Sequence, residues 1–211
     1  MVYPAKKEGD SYTYGDYLTW PTDQRWELLQ GTAYNMSPAP ARIHQRLVVK
    51  LSYQFERYLQ AKGSGCEVYV APFDVRLPRA QEHDADITTV VQPDIAIICD
   101  QAKLDDKGCK GAPDLVVEIV SPSSAALDYI KKTRLYEQHR VKEYWIVHPF
   151  DQIVMVYKLN ADLRYGRPDI YADEDIVGVG IFADNLQIKL NEIFTQDRNI
   201  AGPIGSISEL P

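Results

Sequence analysis

Between residues 41 and 62, the apolar positions Leu47, Val48, Leu51, Phe55, Tyr58 and Leu59 recur at spacings of three and four. That is the period of one buried helical face, and it predicts a helix over 41–62 that stops at Gly63-Ser64-Gly65. Upstream, residues 13–18 read as a short capped helix, and residues 25–30 and 32–36 as two strands around Gly31. Beyond the long helix the pattern changes. Residues 66–71 and 74–77 are rich in Val and Tyr, are broken by Pro72, and predict strands. Residues 79–91 are polar and predict a loop or hairpin tip. Residues 94–99 and 114–120 are apolar runs of the kind a sheet buries on both faces. Ser121-Pro122-Ser123-Ser124 signals a helix start, and the helix runs to about Gln138. Residues 143–148 and 153–159 predict two more strands. The stretch 160–198 is richer in acid and turn residues, with weak strand signals near Ile170 and Val177, and the tail from Asn199 predicts loose docking.

Helix, several strands, helix, strand is the order of an α/β (α+β) domain with a mixed central sheet flanked by helices. A chain of 211 residues suffices for one such domain. The expected layout is a single domain over 1–211, with a core at about 41–160, an N-terminal helix and hairpin at 12–37, and a C-terminal extension with strands at 160–211. Apolar residues at 45% and charged residues at 25% exclude a disordered or fibrous chain. No apolar run approaches the roughly 18 residues of a membrane span, and the N-terminus does not read as a secretory leader. Cys66, Cys99 and Cys109 are odd in number and lack CxxC spacing. Reduced thiols in a cytoplasmic protein are therefore expected, with neither a disulfide nor a zinc site. The net charge of −7 argues against nucleic-acid binding by the whole surface and leaves room for a local basic groove.

Two carboxylates sit where charge is expensive. Asp94 opens the apolar run Ile95-Ala96-Ile97-Ile98, and Glu118 lies inside Leu115-Val116-Val117-Glu118-Ile119-Val120. Burying an unpaired carboxylate costs several kcal/mol, so a cation is expected close by. If the two strands pair, the carboxylates converge on one spot, a hard oxygen site suited to Mg²⁺ or Mn²⁺. A buried salt bridge at Glu118 explains the pattern equally well. At about 100° per residue from Ala125, Tyr129, Ile130, Thr133 and Tyr136 form the sheet-facing stripe of the following helix. Lys132 falls at roughly 340°, on the border of that stripe, and Lys131 at roughly 240°, toward solvent. Spacing alone also allows Lys132 a surface pair with Asp128. Lys131, Lys132, Arg134, His139, Arg140 and Lys142 form a basic run with only Glu137 among them. Such a strip suits phosphate, though a solvated helix face is its commoner meaning.

Pro93-Asp94 followed by Glu118 in an apolar strand resembles the PD-(D/E)XK nuclease pattern. The stretches 113–124, 128–136 and 143–147, with Trp26-Glu27-Leu28-Leu29-Gln30-Gly31, Met36-Ser37-Pro38, His44 and residues 72–77, resemble the Uma-two family within that superfamily. The resemblance covers roughly residues 12–160. It implies a restriction-endonuclease-like αβββαβ core and Mg²⁺- or Mn²⁺-dependent hydrolysis of nucleic acid, DNA foremost, by Asp94, Glu118 and Lys132. By analogy it also implies a homodimer. The superfamily's lysine stands two residues after the glutamate, where this chain has Val120, and the resemblance moves that role to Lys132. Glu27 is implied as a third metal carboxylate, and His44 as a group that orients water or phosphate. Asp74 is a weaker candidate that reads first as a turn residue, and His83, His139 and His148 match no family position. The competing expectation is an inactive nuclease-fold protein that binds nucleic acid or oligomerises.

Overall fold

The computed structural model describes residues 11–36, 41–121 and 124–195. The tail from Asn199 lies outside them. The chain begins with α1 (Tyr14–Tyr17), β1 (Trp26–Leu29), β2 (Thr32–Asn35) and α2 (Arg42–Lys62). The strands β3 (Glu67–Val70), β4 (Val75–Arg76), β5 (Val90–Val91), β6 (Ile95–Ile98), β7 (Leu104–Asp105), β8 (Gly108–Lys110) and β9 (Leu115–Ile119) follow. A helical segment ending in α3 (Thr133–Gln138) leads to β10 (Glu143–His148), β11 (Ile153–Lys158), β12 (Asp169–Tyr171), β13 (Ile176–Gly178), β14 (Gln187–Lys189) and α4 (Leu190–Phe194).

Two six-stranded sheets result, in the orders β12-β11-β10-β9-β6-β3 and β2-β1-β5-β4-β8-β7. The first contains the expected αβββαβ core: α2, then β3, β6 and β9, then α3, then β10. Parallel pairing of β9 with β10 needs a crossover, and α3 provides it. All five residues of β9 are buried. Leu115, Val117 and Ile119 pack with Leu51 and Phe55 of α2, whereas Val116 and Val120 pack with Leu135 and Tyr136 of α3. Both faces are thus covered, which is why this strand reads as an unbroken apolar run.

The N-terminal hairpin was expected as an appendage, but it belongs to the second sheet, where β1 pairs β5 at Leu28 and Val90. Residues 79–91 therefore do not form a bare loop, since they include β5. Strands β7 and β8, the strand β14 and the helix α4 were not anticipated. All are short, two to five residues, too brief to show a period. Gly31 turns the first hairpin at φ +83°, where a Cβ would sit 2.1 Å from Ser11 Cβ.

Two expectations need correction. Cys66 and Cys99 form a disulfide, so only Cys109 remains a thiol, and burial pushes its pKa up to about 11. β3 pairs β6 with Glu67 opposite Ile98, and one step further in that register sets Cys66 opposite Cys99. Pairing across a sheet leaves no local spacing to read. The second correction concerns the helix after Ser121. Its start is tied by Ser121 N–H to Ser124 Oγ at 3.0 Å, but Leu127–Lys132 winds as a π-helix rather than an α-helix. Thr133 N–H donates to Asp128 O, five residues back, and the Thr133 hydroxyl donates to the same oxygen at 3.0 Å.

Candidate active site

Asp94 precedes β6, which runs antiparallel to β9 with Ile95 opposite Val117. The next step of that register brings Asp94 opposite Glu118, and directly opposed residues share a face. The convergence expected of these two carboxylates is therefore a product of strand pairing. Asp94 Oδ2 accepts from Ile119 N–H at 2.7 Å, and His44 Nε2 lies 3.1 Å from the same oxygen. His44 stands in the first turn of α2, so the long helix contributes to the site only through its N-terminal end.

Lys132 lies among the acids. Its Nζ donates to Glu118 Oε1 at 2.9 Å and to Glu27 Oε1 at 2.8 Å, and lies 3.7 Å from Asp128 Oδ1. It is 3% exposed, and Glu27, Glu118 and Asp128 are 2%, 4% and 2% exposed. Lys131, its neighbour, is exposed and donates instead to Tyr34 O–H at 2.6 Å. Lys132 thus points to the sheet and Lys131 away from it, although the turn that carries Lys132 has the wider π winding. Asp128 is its i,i+4 partner as spacing allowed, but buried rather than at the surface. Val120 packs into the core beside α3, so the position of the superfamily's lysine is apolar here.

Glu27 sits in β1 and also accepts from Gln92 N–H at 2.8 Å, which locks its carboxylate from behind. Tyr136 O–H donates to Glu118 Oε1 at 2.8 Å from the first α-helical turns after the π segment. Tyr136 was legible only as a residue of the sheet-facing stripe. A hydroxyl on a buried stripe must find a partner, and that was the available signal.

The electrostatics follow from three carboxylates around one lysine, with Asp94 as a fourth acid facing Glu118. Burial pushes Glu118 well above the ordinary carboxylate range; Lys132 opposes this, while Asp128, Asp94 and Glu27 add to it. Burial raises Asp128 to about 6 against the pull of Lys132. For Lys132 burial works downward, but Glu118, Glu27 and Asp128 together hold its ammonium well above the usual lysine range. Asp128 Oδ1 is buried without a hydrogen-bond partner. The cluster has more negative than positive charge.

These groups lie in a cleft of about 380 Å³, which Arg25, Tyr34, Met36, Ile43, Leu127 and Phe150 also line. Asp74 is outside it and accepts from Tyr17 O–H and Gln92 Nε2, so it braces the residue behind Glu27. His83, His139 and His148 do not line the cleft. The basic run does not converge on it. Lys142 pairs with Asp114 at 2.7 Å, at the opposite end of β9 from Glu118.

Among the described residues, no three His, Cys, Asp or Glu side chains gather as a metal cage. Mg²⁺ does not require one: it is commonly held by one or two carboxylates plus water and substrate oxygens. Opposed carboxylates at Asp94 and Glu118, in a cluster with surplus negative charge, fit that donor set. Among the described residues, no helix is long and apolar enough to cross a membrane.

Residues 14–191 match the Uma2 family, described as "Putative restriction endonuclease". An uncharacterized protein of Synechocystis sp., slr1290, is 28% identical over 150 residues, which cover 70% of this chain and 74% of that protein. A crystal structure described as a putative nuclease belonging to DUF820, from Anabaena variabilis, superposes with a TM-score of 0.68 at 17% identity. The superposition covers 86% of this chain and 97% of that one, and it establishes a shared fold.

Proposed function

Since this chain belongs to the Uma2 family, we propose that it is a metal-dependent nuclease that hydrolyses phosphodiester bonds, with DNA as its first substrate. The observation that carries this reading is Lys132 Nζ at 2.8 and 2.9 Å from Glu27 and Glu118, in the cleft that Asp94 also lines. Asp94 and Glu118 would hold Mg²⁺ or Mn²⁺. When bound, such an ion supplies positive charge to the phosphate and lowers the pKa of a water molecule.

The remaining roles belong to the chain's own side chains. Lys132 keeps its proton because three carboxylates surround it. It therefore acts as a fixed charge that offsets the negative charge developing on the phosphate, and not as a base. Glu27 holds that ammonium in place, with Gln92 N–H fixing the carboxylate. Tyr136 fixes Glu118 Oε1. His44 orients Asp94 through Oδ2.

The test is cleavage of single- and double-stranded DNA and RNA by purified protein with Mg²⁺ or Mn²⁺, beside folded Glu118→Gln and Lys132→Met variants. Cleavage lost with EDTA and in both variants supports the reading. Cleavage that survives both substitutions removes it.

A further inference from the structure

Phe150 is 74% exposed, the largest exposure of any large apolar side chain among the described residues. It lies in the turn between β10 and β11, and it lines the same cleft as Glu118 and Lys132. Met36, Ile43, Leu127 and Pro149 add further apolar wall. The charged groups are nearly inaccessible, with Glu27, Glu118 and Lys132 at 2–4% exposure. An apolar wall with an aromatic lip suits the apolar face of a base, and the acidic floor would take the adjoining phosphate through the cation that Asp94 and Glu118 would hold. At about 380 Å³ the cleft falls near the lower end of small-ligand sites, roughly 300–1,000 Å³. That is room for about one nucleotide inside the cleft. A base within a duplex is stacked and paired, so a base seated on Phe150 must come from an unpaired strand or be extruded from the helix. A cation stands beside the cleft as well: Lys131 Nζ lies 4.7 Å from the ring centroid of Tyr34, itself a lining residue.

We propose that the cleft accepts an unpaired nucleic-acid strand, with one base stacked on Phe150 while the adjoining phosphate faces the ion that Asp94 and Glu118 would hold. This rests on the nuclease reading and narrows its substrate to single strands, loops or flaps. Phe150 is the specificity-determining contact. Stacking on an aromatic ring is sequence-tolerant, so no strong base preference is expected.

The experiment measures binding and cleavage separately. Fluorescence anisotropy with a labelled single-stranded oligothymidylate and a blunt hairpin duplex, in Ca²⁺, reads affinity for the wild type, Phe150→Ala and Phe150→Trp. The single strand should bind at least tenfold more tightly than the duplex. Phe150→Ala should lose about fivefold to a hundredfold of that affinity, and Phe150→Trp should retain it. Because Phe150 is exposed, both variants should melt with the wild type, which circular dichroism checks. Equal affinity for the two strand forms, or unaltered binding by Phe150→Ala, overturns the inference. Duplex cleavage as fast as single-strand cleavage in Mg²⁺ also overturns it and leaves the nuclease reading standing. Phe150-dependent binding without cleavage of any substrate supports the base seat and removes the nuclease reading instead.

Discussion

Lys132 Nζ lies 2.8 Å from Glu27 Oε1, although 105 residues separate the two in sequence. One comes from the crossover segment of the first sheet, the other from a hairpin of the second. Their contact, with Glu118 completing it, ties the two sheets together at the cleft. Replacing Lys132 with Met would leave Glu27, Glu118 and Asp128 buried without their shared cation. We expect a loss of about 3–5 kcal/mol in urea unfolding, together with loss of activity. Glu27→Gln keeps the shape and leaves Lys132 its bond to Glu118, so its cost should be clearly smaller. Equal costs would mean that Lys132 is held through Glu27 alone.

Calorimetric titration with Mn²⁺ separates the roles of the carboxylates. Asp94→Asn should weaken binding at least tenfold, as loss of a ligand does. Glu27→Gln should change it only a few-fold, because Glu27 Oε1 is committed to Lys132 and Gln92. A loss with Glu27→Gln as large as that with Asp94→Asn would restore Glu27 as a third ligand.

Tyr136→Phe removes a single hydroxyl from a fully buried ring that donates to Glu118 at 2.8 Å. A hydrogen bond to a charged group contributes about 1.5–3 kcal/mol, and denaturant titration should show a loss in that range. Unchanged stability would show that Lys132 alone satisfies Glu118.

His139 gives a pH dependence that lies away from the cleft. Burial lowers its pKa first, Arg79 adds to that, and Glu82 opposes it. A histidine depressed in the folded state binds its proton more readily when unfolded. Its contribution to stability is therefore complete above the ordinary value of 6.5 and is lost as pH falls through the lower folded value. Urea midpoints between about pH 7.5 and pH 5 should fall less steeply for His139→Gln than for the wild type. Identical slopes would remove His139 as a contributor.

Much of the site was legible because its residues break the local pattern. Glu118 interrupts an apolar strand, and a charge there needs a partner. Asp94 opens the neighbouring apolar run. Lys132 borders the buried stripe, which separated it from Lys131. What could not be read was contact between distant segments. Nothing in the composition of β1 announces that Glu27 faces a lysine in the crossover segment of the other sheet; only the family resemblance pointed to Glu27. The Cys66–Cys99 bond is of the same kind, since it depends on the register of β3 against β6. The basic run illustrates the converse, and its commoner meaning, a solvated face, fits Lys131, Arg134, Arg140 and Lys142, which are exposed. Adjacent in sequence, its members diverge along a helix and around a turn, and Lys142 ends on Asp114. The strands β7, β8 and β14 contain too few residues for periodicity to register.

The π winding over Leu127–Lys132 holds one residue more than an α-helical turn closing on the same carbonyl. The wider turn takes up that residue locally, so removing one between Asp128 and Lys132 would return it to ordinary winding and change their spacing from four residues to three. The turn is thus a place where the chain can lose one residue while Asp128 and Lys132 stay on one face.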